Sequence, residues 1–141
     1  MIVDANNIFS DSQAITATAA STNVLDLGAA GTPFGAPAAV EQDVGKGNQI
    51  PIALNVTQAF NNLTSLAVAL QKSADNSTWV EVATRTYLLA ELGIGQLSFP
   101  AQVPVGSDAR YLRFNYTVTG TAPSTGKIFA GIVAARQSNN H

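Results

Sequence analysis

Apolar and polar residues alternate with a period of two along most of this chain. From position 50, Ile50, Ile52, Leu54 and Val56 share one face, while Pro51, Ala53, Asn55 and Thr57 share the other. Successive side chains of a strand point to opposite faces, so this alternation predicts a half-buried β-strand. Pro51 has no N–H to give to a ladder, which sets it at a strand start or an edge. Leu66, Val68 and Leu70 alternate with Ala67, Ala69 and Gln71; the polar stretch Ser73-Ala74-Asp75-Asn76-Ser77 reads as a turn, and Val80 and Val82 resume the pattern. Together these predict a β-hairpin. Leu112, Phe114, Tyr116 and Val118 alternate with Tyr111, Arg113, Asn115 and Thr117. After a turn around Pro123 and Gly126, Ile128, Ala130, Ile132 and Ala134 alternate with Phe129, Gly131 and Val133. Weaker strands are predicted near 14–18, 21–27 and 96–99, and 87–92 fits either a short strand or one helical turn. No segment carries a long 3.6-residue period. About eight short strands in one domain, 1–141, predict an all-β fold: a two-sheet antiparallel β-sandwich, with jelly-roll topology favoured.

Two regions and a tail stand outside that pattern. An extended N-terminal arm, 1–11, carries Ile2, Val3, Ile8 and Phe9. A long Gly/Ala/Pro loop, 28–48, carries Phe34 and Val40, with Glu41, Asp43 and Lys46 near its end. The chain closes on a polar tail, 136–141. Structureless loops longer than ~12–15 residues are uncommon in compact domains and are usually functional or disordered. Apolar side chains in such segments need burial, on the sandwich or on a partner. Ile2, Val3, Ile8, Phe9, Phe34 and Val40 are therefore the candidate interface residues.

Composition sharpens this expectation. Only 11% of the 141 residues are charged, against ~25% in ordinary soluble proteins. A free monomer keeps apart from its neighbours by surface charge, so the shortfall points to a subunit largely covered by others, a homo-oligomer. The chain has no cysteine, and its one histidine is His141. A Cys–His or Ser–His–Asp arrangement is thus out of reach within the chain. Two acids suffice for a glycosidase, but the nine Asp and Glu fall mostly at predicted turns and strand ends, where solvation and capping explain them. Glu41-Gln42-Asp43 and Asp75-Asn76-Ser77 both lack the spaced ligand series of a calcium loop. Gly45-Lys46-Gly47 lacks the spacing of a phosphate loop. The chain therefore reads as no enzyme, with no catalytic residue, cofactor or metal. A net charge of −2 with interspersed signs gives no footprint for nucleic acid. Its apolar runs fall short of the ~20 residues of a membrane helix, and its start lacks the pattern of a signal peptide.

One binding chemistry stays open. Trp79, Tyr87, Tyr111 and Phe129 could form an aromatic platform for sugar. The turn leading into Trp79 and its valine pair, with Arg110-Tyr111-Leu112-Arg113 further on, resembles the discoidin-type carbohydrate-binding sandwich. Packing of these rings in the core or between subunits is the competing reading. A carbohydrate-binding module, free or displayed on a virion, is the alternative function.

A wider resemblance spans nearly the whole chain. It begins with Met1-Ile2-Val3-Asp4-Ala5-Asn6-Asn7-Ile8-Phe9-Ser10-Asp11-Ser12-Gln13-Ala14 and Thr16-Ala17-Thr18-Ala19-Ala20-Ser21-Thr22-Asn23-Val24-Leu25-Asp26-Leu27-Gly28. It continues with Val68-Ala69-Leu70-Gln71 to Trp79, Arg110-Tyr111-Leu112-Arg113-Phe114-Asn115-Tyr116 and Gly126-Lys127-Ile128-Phe129-Ala130-Gly131. In that order these stretches resemble the cement proteins of tailed-phage capsids, the family typified by a Bordetella podophage cement protein. The resemblance implies a jelly roll made in the host cytoplasm and placed on the outer surface of the virion. There it would join neighbouring subunits of the major capsid protein after the shell expands, working as a homo-oligomer (a dimer or a trimer) with no catalytic residues.

Overall fold

The alternating segments bury one face each, and the only way to cover two such faces is to lay one sheet on the other. In the computed structural model, which describes residues 2–29, 31–40, 44 and 49–136, they do so. The strands among these residues are β1 (Val3–Ala14), β2 (Ala19–Ala20), β3 (Leu25–Asp26), β4 (Ile52–Gln58), β5 (Leu63–Ser73), β6 (Val80–Leu88), β7 (Gly95–Gln96), β8 (Tyr111–Gly120) and β9 (Lys127–Val133). The first sheet has the order β1-β9-β4-β7; the second has β2-β8-β5-β6, with β3 also paired to β8. Every pairing is antiparallel. The fold is thus the expected two-sheet antiparallel sandwich.

Between the sheets, the predicted inward rows meet. Ile52, Leu54 and Val56 of β4 and Ile128 and Ala130 of β9 face Leu66, Val68 and Leu70 of β5 and Leu112, Phe114 and Tyr116 of β8. Removing each large side chain of this set from water contributes roughly 1.5–3 kcal/mol. The Tyr116 hydroxyl, buried with its ring, shares a 2.8 Å hydrogen bond with the Ser10 hydroxyl of β1 and so ties the two sheets together. Burial pushes the Tyr116 hydroxyl pKa far up, so it stays neutral. The predicted hairpin forms as β5 and β6. Its turn is held by Asp75, whose Oδ1 accepts from the backbone N–H of Ser77 (2.9 Å) and Thr78 (2.8 Å) and from the Ser73 hydroxyl (2.8 Å). Those donors hold its carboxyl below the ordinary range, at about 2.

The N-terminal arm is not an arm. Residues 3–14 form the edge strand β1 on β9, and Phe9 is 1% exposed. Its ring meets Phe114 edge-on, with centroids 5.1 Å apart. The sequence pattern hides this because β1 carries three register shifts against β9, between Val3 and Ile8, Ile8 and Ser10, and Ser10 and Gln13. Each shift breaks the two-residue alternation. The weaker strands are also shorter than expected. Residues 15–18 leave the sheet, only Leu25–Asp26 pairs within 21–27, and Gly95–Gln96 replaces 96–99. The ambiguous stretch 87–92 is both things in turn, the end of β6 and then one 3-10 turn, Leu89–Glu91.

Connections differ sharply between the two ends of the sandwich. At one end, 15–18, 59–62, 89–94 and 121–126 cross between strands by short routes. At Gly126 the ring of Phe60 occupies the space a Cβ would need. The long 27–51 connection, the hairpin turn 74–79 and the loop 104–110 gather at the opposite end. There β4 starts, Val3 pairs with Val133, and Tyr111 pairs with both Ser73 and Asp26.

Candidate functional site

Large apolar side chains are exposed at both ends of the sandwich: Leu88, Leu89 and Ile94 at the short-loop end, and a larger group at the loop-bearing end. Ile2 (77% exposed), Val105 (76%) and Val80 (54%) stand there with Val40 and Phe34. Phe34 is wholly exposed, and its position is built. Gly31 and Val40 exchange backbone hydrogen bonds (3.3 and 2.7 Å), which turns 31–40 into a small hairpin. At its tip, the Ala36 N–H donates to the Pro33 carbonyl at 2.9 Å. This closes a four-residue turn with Phe34 second and Gly35 third. Gly35 has φ +83°, the left-handed conformation that a type II turn demands at its third residue. The turn thus holds Phe34 out at the apex, with small Gly, Ala and Pro neighbours that let another backbone approach closely.

The six candidate interface residues divide. Ile2, Phe34 and Val40 are exposed; Val3 and Ile8 are half-buried along β1; Phe9 belongs to the core and is withdrawn as a contact residue. What the pattern missed is Val44, 8% exposed and part of the core cluster. It fastens the far side of the loop, while Leu27 packs on the core at the near side and donates its N–H to the Arg110 carbonyl at 2.9 Å. The one signal that could have found it is its type, a β-branched residue set alone between Asp43 and Gly45.

Four charged side chains at this end are paired within the fold. Lys72 reaches Asp108 at 2.7 Å, and Arg110 clamps Asp26 with two bonds, 2.8 and 3.0 Å. The Arg110 guanidinium and the Gly28 N–H hold the Asp26 carboxyl below its ordinary range. Beside them, Lys72, Ala74, Asp75, Thr78, Val80 and Asp108 line an open depression of about 370 Å³. Among the described residues no cluster of three or more His, Cys, Asp or Glu is placed to hold a metal. Glu41, Asp43 and Gly45-Lys46-Gly47 lie outside the described residues, as does the tail beyond 136.

The four aromatic residues do not share a platform. Tyr87 is in the core (2% exposed), with its hydroxyl donating to the Phe99 carbonyl and accepting from the Phe99 N–H. Phe129 is on β9, in the other sheet. Trp79 ends the hairpin turn before β6 and Tyr111 starts β8, but each carries an arginine over its ring: Arg113 at 4.1 Å on Trp79, Arg110 at 4.8 Å on Tyr111. These guanidinium stacks take up ring faces that a sugar would need.

What this geometry defines is a two-sheet β-sandwich whose long connections gather at one end and carry Phe34 exposed on a hydrogen-bonded hairpin. The model of the Bbp16 family matches residues 9–135, and the chain belongs to that family. The family is one of Bordetella phage proteins, so this is a phage-associated protein. No curated protein matches the chain.

Proposed function

We propose that the chain is a capsid cement protein, which sits on the outer surface of an expanded icosahedral phage head and joins neighbouring subunits of the major capsid protein. The observation that carries this reading is Phe34, wholly exposed on a hydrogen-bonded hairpin at the end where the long connections gather. An aromatic side chain held out in this way gains free energy only by entering a partner's pocket, and such anchors dominate binding energy. The phage family and the 11% charged fraction support the same reading. So does the strand order, in which β1-β9-β4-β7 lies over β2-β8-β5-β6 and six of the eight connections between the named strands cross between sheets, consistent with a jelly roll.

The mechanism is linkage. A protein that binds only the expanded shell stabilises that state by its differential affinity. Modest single contacts suffice if one oligomer bridges several capsid subunits, because each later contact forms at high effective concentration. The chain supplies position and apolar area, and no chemical step.

The test is co-sedimentation of the purified chain with heads of its own phage before and after expansion, run beside a glycan array. Saturable binding to expanded heads, little to unexpanded ones and none to glycans is the expected result. Binding to neither form of head would overturn the proposal, and retention on glycans alone would favour a carbohydrate-binding module.

A further inference from the structure

We propose that the short-loop end is a second contact site, where Ile94 enters an apolar pocket on a different major capsid subunit from the one that takes Phe34. This rests on the cement reading, and it makes each chain a bridge in its own right.

The segment from Leu89 to Leu97 is built to hold Ile94 away from the sandwich. Leu92 and Leu97 are both in the core, and between them the chain must leave the core and return. Ile94 lies on that excursion and is 75% exposed. Both ends of the excursion are pinned. The Leu92 N–H donates to the Leu89 carbonyl (3.1 Å), and the Leu92 carbonyl accepts from the Phe60 N–H (3.2 Å). The Leu97 N–H donates to the Leu54 carbonyl (2.8 Å).

Gly95 pairs with Val56 at φ +147°, a conformation that favours glycine. A Cβ at Gly93 or Gly95 would meet nothing within 4 Å, so neither glycine is required by packing inside the chain. Ile94 is thus flanked by bare backbone that another surface can approach closely. The tip at the opposite end is made the same way. Phe34 is wholly exposed beside Gly35, which has φ +83° and open space where a Cβ would stand.

The surroundings define the partner's chemistry. Leu88 and Leu89, which lead into the loop, are exposed as well. The two charges of this stretch answer each other: Glu91 lies 3.7 Å from Arg85 and also accepts from the Leu88 N–H at 2.9 Å. Arg85 in turn donates to the Ser98 hydroxyl at 2.7 Å. A charged partner therefore finds no free counter-charge on this loop, and burial of aliphatic surface is left as the source of affinity. The fitting site is a concave, uncharged, apolar pocket.

Distance makes the two contacts separate. β5 runs from Leu63 at the short-loop end to Ser73 at the other, eleven residues, which is roughly 36 Å at ~3.3 Å per residue. Tips that far apart on opposite ends cannot share a pocket. Two modest contacts joined by one rigid sandwich give the second a high effective concentration once the first has formed.

Co-sedimentation with expanded heads is the experiment, with urea unfolding and sedimentation equilibrium run on the same variants. Ile94→Arg should weaken head binding at least tenfold and leave the unfolding midpoint and the mass of the free protein unchanged. Ile94→Met should stay within threefold of the parent. Benzoylphenylalanine placed at position 94, or at position 34, should photo-cross-link to the major capsid protein at two different peptides. Head binding untouched by Ile94→Arg would overturn the inference and leave the cement reading standing. So would a change in mass or stability in place of the change in binding, or cross-links from position 94 to a second copy of this chain or to the peptide reached from position 34. A parent chain that binds no heads would overturn both.

Discussion

Replacing Phe34 with Ser separates partner contact from folding more cleanly than any other change in this chain. The side chain is wholly exposed, and its turn is made by the Pro33–Ala36 hydrogen bond and by Gly35, none of which needs the ring. Surface substitutions of this kind change folding free energy by no more than about 0.5 kcal/mol. Binding is different. A phenylalanine buries roughly 150–250 Å² on entering a pocket, which at ~25 cal/mol/Å² is about 4–6 kcal/mol as an upper bound. Aromatic anchors measured by truncation lose at least ~2 kcal/mol. A loss of about 2–4 kcal/mol per contact is expected, a factor of roughly 30 to 700 in affinity. If one oligomer bridges several capsid subunits, as proposed, the loss on heads should exceed the single-contact value. The assay pairs urea unfolding of the isolated chain with co-sedimentation on expanded heads. Unchanged stability with binding lost is the predicted outcome. Unchanged binding would show that the hairpin is not the anchor, and a matching fall in stability would show that Phe34 packs on its own sandwich.

Phe9→Ala should do the reverse: with its ring against Phe114 in the core, it should cost about 3–5 kcal/mol of stability by urea unfolding. Asp75 gives a pH dependence. Its folded pKa, about 2, lies below the ordinary 3.8, so its contribution is present above pH ~4 and lost as pH falls toward 2; Asp75→Asn should flatten the unfolding profile in that window. Binding to heads should change little between 0.1 and 1 M sodium chloride, although the Debye length falls from ~10 to ~3 Å. The chain has few charges to commit and apolar burial survives salt; complete release by half-molar salt would show that ion pairs hold it.

The sequence was most legible where burial is written locally. Leu66, Val68 and Leu70, Leu112, Phe114 and Tyr116, and Ile128 with Ala130 all face inward as their alternation requires, because one face of each long strand is buried along its whole length. Legibility failed where pairing is dictated from elsewhere. β2, β3 and β7 are two residues each, held by the long strands beside them and carrying no period of their own. In β1 the register shifts disguise a strand as an arm, so Phe9 looks like a contact residue although it is core. The setting of Phe34 and Val40 was half legible: a Gly/Ala/Pro loop leaves open whether an apolar side chain packs on the sandwich or stands away from it, and both side chains are exposed. Val44 could be recognised as core only once the loop was seen to return to the sandwich. The four aromatic rings show the same limit, since nothing in their spacing tells that Tyr87 turns inward and Phe129 belongs to the other sheet.

The most direct test of the cement role is electron cryo-microscopy of the parent virion. The account predicts sandwich-shaped density on the outer surface of the expanded head, spanning the boundary between neighbouring major capsid subunits, with the 31–40 hairpin turned toward the shell. Density confined to the tail, or a head whose outer surface carries no such sandwich, would contradict it.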